Sequence, residues 1–310
     1  MIISASRRTD IPNYYSDWFF NRIKEGYLYV RNPMNIHQIS RISLSREVID
    51  GIIFWTKNPS NMLNRIDEID NYPYYFQFTL TSYGKDIEPN VPSKKDMIIP
   101  CFQTLSKQIG RERVVWRYDP ILITKKYTVE YHIKFFKNLV EKLSDYTEKC
   151  TVSFLDSYKN IRSNMNKYGI IVPNESQRDE IIISFKEIAL KAGIFVDTCS
   201  EKYNKFDVPH ASCIDKKRIE RIGNYSLNVS KDTGQRDACG CASSIDIGAY
   251  NTCKNGCVYC YANFSNKMVK NNSNKHNPNS PLLYGEVMEN DVIIEKKMKS
   301  YIVTQTTLFN

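Results

Sequence analysis

Short runs of β-branched and aromatic residues alternate along the chain with stretches whose apolar positions recur every three or four residues. The first pattern predicts strands at residues 1–5, 27–30, 51–55, 74–80, 113–117, 151–155 and 194–196. The second predicts helices over residues 13–25, 60–69, 94–109, 129–143 and 175–191. Such alternation implies an α/β fold on a parallel sheet, either open or closed into a full or partial β/α barrel. Residues 1–198 carry it and form the expected barrel body. From Cys199 to residue 310 the pattern gives way to cysteines, glycines and short irregular runs. The Asn-rich stretch 270–280 reads as an exposed loop. No internal repeat and no clean linker separates this segment, so it is expected to pack against the barrel.

Polar residues follow several of the predicted strands: Ser6-Arg7-Arg8-Thr9-Asp10, Thr56-Lys57-Asn58-Pro59, Thr79 with Thr81, Tyr118-Asp119-Pro120, and Asp156. In parallel β/α folds the strand C-termini form the mouth where ligands bind. One such stretch is as well explained by turn chemistry; five in one chain point to a functional mouth. Arg7, Arg8, Asp10, Lys57, Arg117, Asp119 and Asp156 are therefore the candidate substrate and catalytic groups. Arginine would offer a fork to a carboxylate or phosphate there, or a structural ion pair.

The 310 residues, 42% of them apolar, are enough for one large domain or two ordinary ones. No run approaches the roughly 20 apolar residues of a membrane helix, and the opening MIISASRRTD has no apolar signal region. A cytoplasmic protein without a membrane partner is expected. The formal charge of +9 is spread along the chain, which weakens it as a sign of a nucleic-acid partner. His37, His132, His210 and His276 show no ligand spacing and read as surface or loop residues.

Nine cysteines change the picture, because clustered thiols in a reducing compartment point to metal or redox chemistry. Cys253, Cys257 and Cys260 are spaced C-x3-C-x2-C. A loop this short can aim three thiolates at one iron–sulfur cube and leave its fourth iron open. Zinc is the competing ligand for thiolates, although structural zinc normally takes four protein ligands. Cys199, Cys213, Cys239 and Cys241 lie in the same third of the chain and could complete a second, fully ligated 4Fe-4S cluster, a zinc site, or merely buried packing. Cys101 and Cys150 stand apart and read as core residues.

The triplet, with aromatic Tyr259 just before its last cysteine, resembles the signature of the radical S-adenosylmethionine superfamily. Gly256-Cys257-Val258-Tyr259-Cys260-Tyr261-Ala262-Asn263 is most similar to the spore photoproduct lyase-type branch. Gln235-Arg236, Cys239-Gly-Cys241, Asp246-Ile-Gly248, Tyr250-Asn251, the opening Ser6–Pro12 run and Phe54-Trp55-Thr56-Lys57-Asn58-Pro59 further resemble a bacterial family known as a domain of unknown function. The resemblance spans nearly the whole chain and brings no substrate.

That resemblance implies a 4Fe-4S cluster on the triplet, S-adenosylmethionine as co-substrate, a 5′-deoxyadenosyl radical, and an electron donor such as flavodoxin or ferredoxin. The substrate could be a nucleic acid, a peptide or a small metabolite. Gly285-Glu286 resembles the pair that holds the amino group of S-adenosylmethionine. The triplet normally follows the first barrel strand, whereas here it begins at Cys253. Residues 245–250 would then be a C-terminal strand closing a barrel of permuted order. Two rivals remain open: a zinc-dependent barrel hydrolase, and a zinc-stabilised nucleic-acid-binding protein without radical chemistry.

Overall fold

The computed structural model describes residues 1–199, 206–236 and 238–304. These described residues hold ten strands: β1 (Ile2–Ala5), β2 (Tyr27–Asn32), β3 (Asn35–Ser43), β4 (Gly51–Thr56), β5 (Tyr74–Thr79), β6 (Val114–Ile121), β7 (Lys149–Phe154), β8 (Phe195–Thr198), β9 (Ile245–Asp246) and β10 (Val292–Glu295). Seven of them form one sheet in the order β8-β7-β6-β5-β4-β1-β9, with every neighbouring pair parallel. From β1 to β8 the sheet follows chain order without reversing, as a barrel wall does and a doubly wound sheet does not. The sheet is nonetheless open. Its edges are β8 and β9, which do not pair with one another among the described residues, so of the open and closed alternatives the structure shows the open parallel sheet, and the closure expected of residues 245–250 is not made.

The C-terminal strand expected from residues 245–250 is present as the two-residue β9, paired with Ile3 and Ser4 of β1. It lies at the edge of the sheet, before β1 in space and after it in sequence. A second correction concerns residues 27–30. They belong to β2, which pairs antiparallel with β3 in a separate three-stranded sheet, with β10 parallel to β3. That hairpin was not legible as a unit, because the outer half of β3 is exposed and polar.

Among the described residues eight α-helices accompany the strands: α1 (Ile11–Tyr14), α2 (Ser16–Glu25), α3 (Ile99–Ile109), α4 (Val129–Leu143), α5 (Arg162–Tyr168), α6 (Glu175–Lys191), α7 (Lys216–Gly223) and α8 (Asn266–Asn274). α4 and α6 carry their own caps: Thr128 accepts from the Tyr131 amide, and Asn174 with Gln177 closes a capping box. The predicted helix at residues 60–69 is a 3-10 segment, Leu63–Ile69. α8 occupies the first part of the stretch expected to be an exposed loop. His132, expected at the surface, is buried in α4, where its ring meets the Tyr118 hydroxyl and the Leu122 carbonyl, each at 2.9 Å.

The two-residue period of the strands sends alternate side chains to opposite faces of the sheet. Ile3, Phe54, Phe76, Val114 and Trp116 join the main core, where Phe136 of α4 stacks between Trp116 and Phe185 of α6. Ile2, Ile53, Tyr75 and Val115 point the other way and pack on Cys213, Ile214, Ile219, Cys239 and Cys241. The cysteine-rich segment therefore covers the second face of the sheet. Among the described residues no helix is long and apolar enough to cross a membrane.

Candidate functional site

The strand C-termini open into a cavity of about 470 Å³. All seven clustered cysteines line it, together with Arg7, Arg8, Asp10, Lys57, Arg117, Asp119, Asp156 and Tyr259. Fifteen of the seventeen residues singled out from the sequence thus converge on one space. Gly285 and Glu286 do not: Gly285 donates its amide to the Lys275 carbonyl, and the Glu286 carbonyl accepts from Arg31 of β2. That pair belongs to the surroundings of the small sheet.

The triplet loop is held from several sides. Asp10, buried after β1, accepts from the amides of Asn13 (3.1 Å) and Lys57 (2.9 Å) and from Asn255 Nδ2 (3.0 Å). Asn255 lies between Cys253 and Cys257, and its Oδ1 also accepts from the Tyr14 hydroxyl at 2.9 Å. The Tyr15 hydroxyl donates to the Thr252 carbonyl, the Val258 amide donates to Ile87, and Asn164 donates to the Val258 carbonyl. Gly256 has φ of +69°, and a Cβ there would come within 3.0 Å of Asn90 Nδ2. The turn and the close approach both require glycine at that position. Asp10, a candidate substrate group from the sequence, lines the cavity and also positions this loop. Burial raises its carboxyl pKa against the pull of those donors.

Beside the loop sits a buried charge cluster that the sequence did not reveal. Glu88 accepts from Lys57 Nζ at 2.8 Å and from the Tyr259 hydroxyl, with Lys94 Nζ at 2.6 Å from its other oxygen. Thr81 adds a hydrogen bond of 3.0 Å. Burial alone would push the Glu88 carboxyl up, but the two ammonium groups hold it well below the usual range. Burial pushes the triplet thiols up: Cys257 rises to about 12 despite Lys57, and Cys253 and Cys260 rise as well. These half-buried thiols line the cavity, and any metal bound there would have to displace their protons.

The other four cysteines come from three segments. Cys199 follows β8, Cys213 precedes α7, and Cys239 and Cys241 precede β9. Cys199 and Cys213 sulfurs are 3.1 Å apart, and Cys241 hydrogen-bonds with both Cys213 and Cys239. The last of these contacts lowers the Cys239 thiol to about 6. The Cys213 carbonyl is fixed by the Tyr75 hydroxyl and Gln77 Nε2, both at 2.7 Å. Among the described residues no three His, Cys, Asp or Glu side chains are already gathered around the position of a single ion. The four sulfurs form a chain of neighbours rather than a closed tetrahedral cage.

The remaining candidates divide between walls and rim. Arg117 pairs with Asp119, which also accepts from Ser153, and its Nη1 lies 2.8 Å from Cys213 Sγ. Arg8 stacks on Tyr250, with its Nε 3.9 Å from Asp246. Asp246, in β9, accepts from Ser4, Ser6 and the Arg7 and Gly248 amides, joining the C-terminal strand to the first. At the exposed rim Asp156 pairs with Arg236. Cys101 and Cys150 are buried away from the cavity, as expected of core residues.

No curated protein and no solved structure matches the chain. A family model matches residues 2–262, from the start of β1 to just past Cys260, and so takes in both cysteine groups and every strand of the large sheet. By that match the chain belongs to the family described as Domain of unknown function (DUF1848).

Proposed function

We propose that the protein is a radical S-adenosylmethionine enzyme, with a catalytic 4Fe-4S cluster on Cys253, Cys257 and Cys260 and an auxiliary cluster on Cys199, Cys213, Cys239 and Cys241. The observation that carries this reading is the presentation of a C-x3-C-x2-C loop into the mouth of a parallel sheet, with four more cysteines in the same cavity. Cys253, Cys257 and Cys260 would hold the cluster, which would supply the one electron needed to cleave the C5′–S bond of S-adenosylmethionine to methionine and a 5′-deoxyadenosyl radical able to take a hydrogen atom from the substrate.

The chain's own residues hold and shield this chemistry. Asp10, Asn255 and Gly256 fix the loop so that its thiols reach the cavity. The Lys57–Glu88–Lys94 group places fixed charge behind Cys257 and Tyr259, where burial excludes the water that would screen it. Trp55, Tyr158, Tyr261 and Phe154 wall the space in which a radical must be kept from solvent. Arg8, Arg236 and Asp156 line the side open to an incoming substrate.

The test uses the full chain, reconstituted anaerobically with iron and sulfide and reduced by dithionite. It should convert S-adenosylmethionine to 5′-deoxyadenosine and methionine, and Cys257→Ala should abolish that conversion. About eight irons per chain are expected with both clusters and about four with the triplet alone. Tightly bound zinc without sulfide, in protein isolated under nitrogen, would overturn the reading in favour of a zinc-stabilised binding protein.

A further inference from the structure

The inner face of the sheet carries two guanidinium groups where a barrel wall would ordinarily be apolar. Arg117 of β6 is almost wholly buried, and its guanidinium stacks on Trp55 of β4 at 5.1 Å from the ring centroid. Arg7, just after β1, stacks on the same indole at 5.3 Å. The register explains this convergence, since Trp55 lies beside Gln77, and Thr79, two residues on, lies beside Arg117.

Both arginines line the cavity that holds the four-cysteine group. Arg117 donates to Cys213 Sγ through Nη1 at 2.8 Å while its other side pairs with Asp119. Arg7 has Cys241, Cys213, the Asp246 carboxylate and Cys239 among its charge partners, and its Nη2 is buried without a hydrogen-bond partner. A buried donor with no acceptor is costly to leave unmade. Four thiolates around a 4Fe-4S(2+) core carry a net charge of about −2, and one-electron reduction adds another negative charge. Two fixed guanidinium groups supply the opposing charge. Arginine suits the role because it keeps its proton and stacks flat on an aromatic face.

We propose that Arg7 and Arg117, stacked on Trp55, are positioning residues of the four-cysteine centre: both compensate its charge, Arg117 donates to its sulfur, and together they raise its reduction potential. This rests on reading that centre as an iron–sulfur cluster. Positive charge and hydrogen bonds to cluster sulfur stabilise the reduced form, so their removal makes the couple more negative. The arginines identified from the sequence as a clamp for substrate anions are thereby assigned to the metal centre.

The experiment is a potentiometric titration followed by electron paramagnetic resonance, in a Cys257→Ala background so that the triplet contributes no cluster signal. Arg117→Gln and Arg7→Gln should each keep about four irons per chain and lower the midpoint. At fixed potential the reduced-to-oxidised ratio should fall about tenfold, a shift of about 59 mV for one electron. Arg117→Lys should recover part of the shift by restoring charge without the fork. Full iron with an unchanged midpoint in both Gln variants overturns the proposal. Should a Gln variant fail to load iron, loading by the matching Lys variant supports the charge role, and failure of both overturns it. Zinc or no iron in the parent Cys257→Ala protein defeats the auxiliary-cluster reading itself, an outcome separable from any effect of the arginines.

Discussion

The two cysteine groups share one cavity and are built in opposite ways. Cys253, Cys257 and Cys260 come from a single loop of eight residues, held by side chains reaching in from after β1, from the Glu88 region and from α5. Cys199, Cys213, Cys239 and Cys241 come from three segments brought together on the inner face of the sheet. The first group is arranged by local sequence and then fixed by the fold. The second exists only because β8 and the segments before α7 and β9 meet over Tyr75 and Gln77. Their electrostatic settings differ as well: the triplet stands by an ion cluster dominated by Lys57, Glu88 and Lys94, the quartet by two arginines on an indole.

The sharpest way to break this comparison is to remove one thiol from each group. Cys260→Ala should remove about four irons and all S-adenosylmethionine cleavage while sparing the quartet's cluster, and Cys213→Ala should remove about four irons while sparing the triplet's. Iron and sulfide analysis with resonance spectra of both variants checks it. Loss of all iron from either variant would show that the groups do not act as separate ligand sets.

The next effect is on stability. Glu88→Gln leaves Lys57 and Lys94 buried without a counter-charge, and should cost about 3 kcal/mol at neutral pH in denaturant unfolding of the apo protein. The folded carboxyl sits below its unfolded value near 4.3, so its contribution is complete above that pH and is lost as pH falls toward the folded value. The gap between wild type and Glu88→Gln should therefore narrow below about pH 4. A gap independent of pH between 3 and 7 would contradict the ionised state of Glu88.

Asp10→Ala should cost about 2 kcal/mol, since it strands the amides of Asn13 and Lys57 and the Asn255 side chain. Its effect on iron should be confined to the triplet, measured as slower reconstitution of that cluster with the quartet unchanged. Smallest is Gly256→Ala, which puts a Cβ at φ of +69° and 3.0 Å from Asn90 Nδ2. It should cost about 1 kcal/mol, again with a defect in triplet loading only. An equal loss from the quartet in either variant would mean that the two groups are coupled through the fold.

The sequence by itself determined what local periodicity and spacing can carry. Alternation of apolar and helical runs located the strands of the large sheet from β1 to β8, while β9 is expected from residues 245–250 only through the resemblance of the cysteine loop. The C-x3-C-x2-C spacing brought three thiols to one cavity because all three lie on one short loop. The polar residues after five strands converged there because parallel strands place their C-termini on one side.

What only the tertiary structure decided is non-local. A period of two says that Trp55 and Arg117 leave their strands on one face or the other, but which partners wait there depends on distant segments, Cys213 lying 96 residues from Arg117. Arg117 consequently meets the Cys213 sulfur, and Asp10 accepts from the amides of Asn13 and Lys57. Glu88 gave no signal in its Ile-Glu-Pro-Asn loop, since its two lysines and Tyr259 come from separate stretches of chain. The same limit hid the pairing of β2 with β3 and β10, and made Gly285-Glu286 resemble a cofactor motif that the fold keeps beside the small sheet. Whether the β/α wall closes is likewise set by whether its edges meet in space, and β8 and β9 do not pair.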